Sequence, residues 1–528
     1  MIYFIISLIP VFLYLFFKSK KAIHILQQNW YNDGNRYLNW IFKNLTKAFN
    51  YDILFVIFLI GLFINSQMLM IVWVLFYLIV AYIYGNQIKK EQVKKPLNIT
   101  ARVKRLLTTN FILYLIPIVI FSINYNSNNL TYYYLVIGFM VFINYIVVLI
   151  ANLINKPIEK LVAYYYKSKA MKKLKNMNNL EVIGITGSYG KTSSKNILSD
   201  ILNVKYNALP TPKNFNTPLG LIITINNHLD KFNDYLIAEM GAFKRGEIKE
   251  LCDLVHPKYG ILTKIGTAHL DSFGSQANVQ QGKFELIESL PTDGVGVLNA
   301  DDELQKDYQL KNKCQILWIG IDNKDVDVHA SNIKLSPNGT TFDVTFKGDK
   351  SKYKFETKLL GRHNIYNILA ALALGNYFKI EINKLQAGVK RVRPVEHRLE
   401  LKKMGDINII DDAYNSNPVG SKMALDVLKM MPGKKIVVTP GMIELGDQEY
   451  DLNKKFGEYI ADTTDEVILV GKEQTKPIYD GLIAKKFKQE KIHIINDVKE
   501  AFVLMNELKD KETYVLLEND LPDIFNEK

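Results

Sequence analysis

A short glycine-rich segment is the part of the sequence whose residue types and spacing most clearly suggest chemistry. It follows the apolar run 181–185 and precedes apolar residues at helical spacing, which predicts a strand, a loop and a helix in that order. Glycines let backbone N–H groups turn toward phosphate oxygens, and a helix N-terminus adds the positive end of its dipole. We therefore predict a phosphate-binding loop with the candidate contacts Gly187, Ser188, Gly190, Lys191, Thr192 and Ser193.

Two residues of this loop have the types that bind a nucleotide and its metal ion. A lysine at position 191 would reach the β- and γ-phosphates, and the hydroxyl of Thr192 would hold Mg²⁺. The strict pattern also requires a glycine where the chain has Ile185, so a purely structural glycine turn is the alternative. The predicted ligands are ATP and Mg²⁺.

Two later predicted strands end in side chains that could bind the same metal ion. Strand 235–238 is followed by Glu239, and strand 259–264 leads to His269. In open α/β sheets ligands bind outside the carboxyl ends of the strands, and Mg²⁺ binds such groups directly or through water. Each residue also has an ordinary role, Glu239 beside a helix N-cap and His269 as a hydrogen-bonded loop histidine. Spacing alone makes Lys283 a solvated lysine.

A second α/β unit is predicted from residue 401 onward, with strands at 407–411, 435–439, 466–470, 492–495 and 513–517. The segment 411–418 follows its first strand and could contact a ligand or form a plain turn rich in Asp and Asn. Residues 326–358 are predicted to form short strands around a turn at 337–339.

The first third of the chain differs in composition from the rest. The chain has 528 residues and a net charge of +13, and residues 1–180 hold 20 Lys and Arg against 4 Asp and Glu. Because the basic excess lies there and not on the predicted α/β units, the charge does not indicate nucleic-acid binding. Two cysteines, Cys252 and Cys314, exclude a disulfide scaffold and a four-cysteine zinc site.

The same third predicts a membrane region at 1–155. Residues 53–84 carry no charged side chain, and these 32 residues exceed the roughly 20 that one helix needs to cross a bilayer. The polar residues 65–67 predict a hairpin of two spans there. Further apolar runs at 2–17, 109–125 and 131–154 bring the expected number to about five. The basic linker 156–180 would lie along the inner leaflet or be solvated.

The loops predict the orientation. Segments 18–50, 86–108 and 155–180 carry 6, 7 and 7 Lys and Arg, whereas 65–67 and 124–130 carry none. The positive-inside rule then predicts a multi-pass cell-membrane protein with the N-terminus outside and the α/β units on the cytoplasmic face. The spans hold few ionisable groups, which favours an anchor over a transporter.

In order along the chain, the polar motifs resemble those of the Mur ligase family over essentially all of 181–528. The resemblance rests on Thr186 to Ser193, Asn214 to Thr217, Glu239 to Ala242, Ala268 to Leu270, Leu298 to Asp302, Gly361 to Asn364 with Asn367, His397 to Glu400, Asp411 to Pro418 and Glu444 to Gly446. It implies a P-loop-type central ATP-binding domain at 181–400 and a Rossmann-like C-terminal domain at 401–528, behind the α-helical transmembrane region.

The resemblance also implies an activity. Members of the family are ATP-dependent, ADP-forming amide ligases of bacterial cell-wall precursor synthesis. The motifs Asp-Asp-x-Tyr-Asn-x-Asn-Pro and Glu-Leu-Gly are most similar to the members that add D-alanyl-D-alanine to UDP-N-acetylmuramoyl-tripeptide. By matching positions, Lys191 and Thr192 would bind phosphates and magnesium, Glu239 and His269 the metal ions, Asn299 adenine, Arg398 the γ-phosphate and Asp412 the ribose. Lys283 matches a lysine that is carbamylated in the family and then resembles a carboxylate ligand.

The sequence departs from the family at both ends. Soluble members have an N-terminal domain that grips the UDP-sugar, whereas this chain has apolar runs there, so the acceptor is UDP-linked or lipid-linked. Asn453 stands where relatives have a histidine, and 518–522 replace a Lys-Gly-Ser-Arg segment near the amine site. The expected partners are a muramyl precursor, an amino acid or dipeptide, and membrane lipid, with no nucleic acid.

Three alternatives remain beside the cell-wall ligase. They are a Mur-type ligase for a lipid-linked or other envelope-polymer acceptor, a non-catalytic membrane scaffold that retains the ATP-binding fold, and an ATPase that drives transport.

Overall fold

The chain forms two compact units in a computed structural model that describes residues 2–29, 31, 36–49, 51–90, 96–124, 126–266, 270–414, 416–443 and 445–520. The units are Met1–Tyr165 and Tyr166–Lys528. The first is helical, and the strands of the described residues all belong to the second.

The first unit consists of apolar helices. They are α1 (Ile2–Ser7), α2 (Ile9–Gln28), α3 (Leu38–Lys43), α4 (Leu45–Ala48), a 3₁₀ helix (Tyr51–Leu62), α5 (Ser66–Lys90), α6 (Ala101–Ile123), a 3₁₀ turn (Ser127–Asn129), α7 (Leu130–Phe142) and α8 (Asn144–Lys175), whose C-terminal part enters the second unit.

The described residues contain fewer candidate membrane spans than the five predicted. Three helical segments are long and apolar enough to cross a bilayer, Ile2–Gln28, Ser66–Lys89 and Ala101–Ile123, or four if the bent pair α7 and α8 counts as one. The turn near 65–67 is confirmed, but its first arm is a 3₁₀ helix of 12 residues. At about 2 Å per residue, that arm spans less than the roughly 30 Å of a hydrocarbon core. Apolar composition does not show where a helix ends.

A buried ion pair explains the break between α7 and α8, which meet at an angle of 73°. The Lys18 ammonium lies 2.7 Å from the Asp52 carboxylate, and both side chains are almost fully buried. Lys18 also donates to the carbonyls of Val141 (2.8 Å) and Phe142 (3.0 Å), which end α7. The ammonium thus supplies a donor to two carbonyls in the last turn of α7. The sequence analysis placed both charges outside the spans.

The segment predicted as a basic linker, 156–180, is helical as far as Lys175 and continues α8 directly. Within the second unit, Ala170 is fully buried, and Leu174 and Met177 pack on the same apolar cluster as β-strand residues such as Val182. The solvated-linker alternative is therefore wrong for the end of this segment, because its apolar residues contribute to a core.

The second unit begins with a nine-stranded sheet. Its strands are β1 (Glu181–Thr186), β2 (Ala208–Pro210), β3 (Tyr235–Glu239), β4 (Tyr259–Leu262), β5 (Val295–Asn299), β6 (Gln315–Gly320), β7 (Val328–Ser336), β8 (Gly339–Phe346) and β9 (Tyr353–Thr357). The order is β2-β3-β1-β4-β5-β6-β7-β8-β9. Strands β2 to β7 pair in parallel, and β7 to β9 form the predicted antiparallel hairpins.

Helices cover both faces of this sheet. They are α9 (Lys191–Leu202), α10 (Pro218–Asn227), α11 (Glu247–Val255), α12 (Leu270–Phe273), α13 (Gln276–Glu288), α14 (Glu303–Lys306), α15 (Arg362–Tyr377) and α16 (Ile382–Arg391). Ile183 and Ile185 pack with α9 and α15, whereas Val182 packs with α11 and α13. A parallel strand buried on both faces needs a continuous apolar run, which is why the sequence predicts β1.

The second unit ends with a six-stranded sheet. Its strands are β10 (Glu400–Met404), β11 (Ile407–Asp412), β12 (Lys434–Thr439), β13 (Glu466–Val470), β14 (Ile492–Ile495) and β15 (Thr513–Glu518), in the order β10-β11-β15-β12-β13-β14. Only the edge strand β10 is antiparallel. Its helices are α17 (Pro418–Lys429), α18 (Glu449–Ala461), α19 (Lys476–Ala484) and α20 (Val498–Leu508). The five strands predicted beyond residue 401 are confirmed.

Candidate active site at the glycine loop

The loop between β1 and α9 has a shape that its glycines permit. Gly187 and Gly190 have φ angles of 149° and 81°, which side chains rarely allow. A Cβ atom on Gly187 would lie 2.0 Å from the Thr263 hydroxyl. The N–H of Ser188 donates to the Lys264 carbonyl at 2.9 Å, so the loop packs against the end of β4. The backbone of the loop is therefore fixed at the N-terminus of α9, the positive end of the helix dipole.

Lys191, the first residue of α9, bends back over this loop. Its ammonium donates to the carbonyls of Gly187 (2.7 Å) and Ser188 (3.2 Å). Burial lowers the pKa of Lys191 to about 8, while Glu239 raises it and Arg398 lowers it further. A desolvated ammonium beside another cation gains stability when an anion binds.

Glu239, the last residue of β3, lies 1% exposed at the centre of a polar cluster. Its Oε1 accepts hydrogen bonds from the Thr192 hydroxyl (3.1 Å) and the Asn216 amide (3.2 Å). Its Oε2 lies 3.2 Å from the ammonium of Lys195. Two of the residues predicted to bind metal, Thr192 and Glu239, therefore touch each other. The helix-cap alternative for Glu239 does not describe these contacts.

Lys283, on α13, is buried and not solvated, contrary to what its spacing suggests. Its side chain is 1% exposed, and its ammonium lies 3.3 Å from the Ala242 carbonyl and 5.2 Å from the centre of the Phe273 ring. Burial, aided by the charge of Lys191, lowers its pKa to about 7. Burial thus shifts the equilibrium from the ammonium toward the neutral amine.

The oxygen ligands present suit a magnesium ion. Thr192 and Glu239 offer a hydroxyl and a carboxylate, and no cluster of three His, Cys, Asp or Glu exists among the residues that the structure describes. Mg²⁺ is commonly held by one or two protein oxygens while phosphates and water complete its shell. His269, predicted as a further ligand, lies outside the described residues.

Arg398 belongs to a strained turn that precedes the second sheet. The flanking residues His397 and Leu399 have φ angles of 60° and 46°, unusual for residues other than glycine. The N–H of Leu399 donates to the Asp412 carboxylate at 3.1 Å, and the Arg398 guanidinium lies 4.5 Å from the centre of the Tyr414 ring. Because Arg398 lowers the pKa of Lys191, it lies within electrostatic reach of the glycine loop.

Two acids end adjacent strands near Arg398. Asp412 on β11 and Glu518 on β15 are paired in register, and the Glu518 side chain is fully buried whereas that of Asp412 is partly buried. Burial raises the pKa of Asp412 to about 7, and burial together with Asp412 raises the pKa of Glu518 well above its ordinary value. The Ser416 hydroxyl donates to Glu518 at 2.5 Å. The pair therefore carries less negative charge than two free carboxylates.

The remaining predicted residues are placed as follows. Asn299 ends β5 and is 6% exposed, and its side-chain oxygen accepts from the Asp301 N–H at 3.0 Å. Ser188 donates from its hydroxyl to the Gly266 carbonyl, and Ser193 lies partly buried in the first turn of α9. The adenine contact of Asn299 and the nucleotide contact of Ser193 stay predictions.

Two asparagines near the second sheet, Asn453 and Asn417, have structural roles. Asn453 is buried and pairs with both backbone groups of Met442 and with the Glu449 carbonyl, so it stabilises the loop after β12. Asn417 caps α17 by accepting from the Gly420 N–H, which is the turn-forming role left open for 411–418. Asn415, Glu444 and 521–528 lie outside the described residues.

Sequence reasoning missed several residues that shape this site. Lys195 and Thr263 were not considered, and Asn216 and Asn367 were noted without a role. Asn367 on α15 lies close to Gly190, since its side-chain oxygen is 3.2 Å from the position of a Cβ there. Of these residues, only Lys195 could have been found from the sequence, because it follows Lys191 by four residues and so lies on the same helix face.

Comparison with known proteins identifies the family. The Mur ligase middle domain matches residues 185–375, and the Mur ligase glutamate ligase domain matches 397–517. The UDP-N-acetylmuramoyl-tripeptide--D-alanyl-D-alanine ligase of Bacillus subtilis is 32% identical over 339 residues, which are 63% of this chain and 72% of that protein. The chain therefore belongs to the Mur ligase family.

Other relatives agree with this assignment. The Escherichia coli ligase of the same name is 32% identical over 295 residues, 55% of this chain and 65% of that protein. The MurF ligase of Thermotoga maritima, solved in complex with ADP, superposes with a TM-score of 0.59 at 25% identity, over 67% of this chain and 80% of that chain. The relatives are ligases, and this chain is an enzyme of that class.

We expect Gly187→Ala to weaken ATP binding at least tenfold. The added Cβ would meet Thr263, and a left-handed backbone costs an L-residue about 1–2 kcal/mol, where 1.4 kcal/mol is a factor of ten. Calorimetric titration with ATP measures the effect.

Gly348→Ala is the matched control for this substitution. Its φ is 86°, but a Cβ there meets no atom within 4 Å, so ATP affinity should be unchanged. Equal affinities for the two variants would contradict a phosphate-binding role of the loop.

Proposed function

We propose that this chain is a membrane-anchored, ATP-dependent ligase that joins a muramyl-tripeptide carboxylate to D-alanyl-D-alanine with release of ADP and phosphate. The observation that carries the proposal is the cluster at the glycine loop. Lys191, Thr192 and Glu239 meet there, and Arg398 reaches them from the turn before the second sheet. The names of the relatives support the substrates.

The cluster suits transfer of a phosphoryl group to a carboxylate. A carboxylate oxygen attacks the γ-phosphorus of ATP, the bond to ADP breaks, and an acyl phosphate forms. The amine of the second substrate then attacks the acyl carbon, and the tetrahedral intermediate collapses with loss of phosphate and a proton. Lys191 and Arg398 would stabilise the charge that develops on the transferring group.

Thr192, Glu239 and a carbamylated Lys283 would hold magnesium. Bound there, the metal would neutralise phosphate charge as a Lewis acid. Carbamylation needs a neutral amine, which attacks CO₂ and releases one proton. The buried position of Lys283 and its pKa of about 7 favour that neutral form. In the absence of the modification, Lys283 would add a further positive charge beside Lys191.

We also propose that residues 181–400 and 401–528 act as the P-loop-type and Rossmann-like domains of this reaction. The phosphate contacts would come from the first domain, with adenine on Asn299. Arg398, in the turn before the second sheet, would contact the γ-phosphate. Asp412, at the end of β11 in the second domain, would contact the ribose. Tyr414 supports closure between the two, because Glu239 and Asn214 of the first domain both influence its hydroxyl pKa. Closure would exclude water from the acyl phosphate.

The apolar helices would anchor the ligase in the cell membrane, with the α/β domains on the cytoplasmic face. On α5, Ile71, Leu75 and Ile79 are 60%, 53% and 58% exposed along one face, while Trp73 and Tyr77 are buried on another. A stripe of large apolar side chains is costly in water and favourable in lipid. Such an anchor would suit a lipid-linked precursor as well as the UDP-linked one.

We expect the full chain in detergent to release phosphate from ATP and Mg²⁺ only when both an acceptor and D-alanyl-D-alanine are present. The reactions contain UDP-N-acetylmuramoyl-tripeptide or its lipid-linked form, each with and without the dipeptide. Lys191→Met should lower the rate at least about 100-fold, because it removes a charge that stabilises the transition state.

The choice of acceptor separates the remaining possibilities. Release with the lipid-linked form alone would assign the helical unit to acceptor binding. Phosphate release that needs no amine would favour the transport ATPase, and no release above the Lys191→Met background with either acceptor would contradict the proposed substrates.

The carbamate can be tested directly. We expect ¹³C-bicarbonate to give a carbamate NMR signal in the full chain that Lys283→Met loses, because burial protects the neutral amine. Lys264→Met is the control, since that lysine is about half exposed. A signal retained in Lys283→Met, or absent from the unmodified sequence, would contradict the assignment.

A further inference from the structure

A second lysine lies one helical turn after Lys191 and is not used by the mechanism above. Lys195 on α9 is 1% exposed. A lysine is rarely buried unless a partner offsets its charge. Its ammonium lies 3.2 Å from Oε2 of Glu239 and donates to the backbone carbonyl of Lys213. The ammonium thus joins the helix of the glycine loop to two other segments.

The carbonyl that Lys195 binds belongs to a turn with an unusual backbone. Lys213 has a φ angle of 49°, in the left-handed region that costs a side-chain-bearing residue free energy. Such a conformation persists only where surrounding contacts hold it. The hydrogen bond from Lys195 is one such contact, and it fixes the direction in which the chain leaves this turn.

The turn leads into a segment that grips the other side of Glu239. The Asn216 amide donates to Oε1 at 3.2 Å, and the Asn216 carbonyl accepts from the Gly241 N–H at 2.8 Å. A Cβ on Gly241 would lie 2.9 Å from the Asn216 side chain, so this close approach needs a glycine. Lys195 and Asn216 therefore hold the two oxygens of one carboxylate from two sides.

The charge of Lys195 matters as well as its position. A buried carboxylate without a cation is strongly destabilised. The Lys195 ammonium lies beside Oε2 of Glu239 and leaves Oε1 beside the Thr192 hydroxyl. That arrangement presents a charged oxygen and a hydroxyl together, which is what a hard cation requires.

We infer that Lys195 is a positioning residue for the magnesium–nucleotide complex, which orients Glu239 and the 213–217 segment and does not touch the reacting atoms. The inference rests on the proposed function, because it presumes that Thr192 and Glu239 bind Mg²⁺. Partners that orient a metal ligand typically contribute about 10- to 100-fold to metal affinity.

The test is calorimetric titration of Mg²⁺ into the full chain in detergent, saturated with ADP. The variants are Lys195→Met, Glu239→Gln and the double variant, and thermal unfolding is followed for each. We expect Lys195→Met to weaken Mg²⁺ binding at least about tenfold. The double variant should bind no more weakly than Glu239→Gln alone, since residues that act through one contact are not additive.

Lys249→Met is the matched control, because Lys249 forms an exposed ion pair with Asp253 on helix α11, and Mg²⁺ affinity should be unchanged. Lys195→Gln replaces Lys195→Met if the latter does not fold. Mg²⁺ affinity within about twofold of the unmodified chain would overturn the inference, even if the unfolding temperature falls. Additive losses in the double variant would do the same. Failure of the unmodified chain to bind Mg²⁺ with ADP would instead contradict the proposed function.

Discussion

The Glu239 carboxylate is the group on which the rest of the candidate site depends. It is buried at the end of a central strand and is the negative charge that Lys191 and Lys195 share. Without it, these two ammonium groups and Arg398 would repel one another in a desolvated space. One carboxylate among three cations leaves a net positive charge, which favours a polyphosphate bound together with a divalent metal ion.

The second sheet contributes through a strained turn and not through a regular strand. His397 and Leu399 adopt left-handed conformations on either side of Arg398, at a cost of order 1–3 kcal/mol each. Two contacts offset this cost, from His397 to Asp411 (2.8 Å) and from the Leu399 N–H to Asp412 (3.1 Å). These two contacts thus fix the turn on either side of Arg398.

Many strands of 181–520 could be predicted because they pair in parallel and are largely buried, so they appear as short apolar runs. The helical unit was harder. The polar residues 65–67 predict the division of 53–84 into two helices, but not that the first is a 3₁₀ helix of 12 residues and the second an α-helix of 25 residues. The kink after α7 depends on Lys18, more than a hundred residues earlier in the chain. Apolar composition holds no information about such long-range contacts.

The candidate site likewise contains some residues that the sequence predicted and others that it did not. Gly187, Lys191, Thr192 and Glu239 could be found from residue type and strand position. Spacing made Lys283 a solvated residue, only the family resemblance indicated a role for it, and its burial was found in the structure. Lys195 was missed because its function depends on two partners distant in sequence, Lys213 and Glu239. Local patterns reveal groups that bind a ligand directly, but seldom the groups that position them.

Transfer of an oxygen isotope tests the central claim, that this site activates a carboxylate as an acyl phosphate. The muramyl-tripeptide acceptor is labelled with ¹⁸O in its terminal carboxylate, and the full chain is supplied with ATP, Mg²⁺ and D-alanyl-D-alanine. Because the attacking carboxylate oxygen leaves with the phosphoryl group, each released phosphate should carry one ¹⁸O, as read by mass spectrometry. Phosphate without the label, formed alongside the amide product, would contradict the acyl-phosphate account.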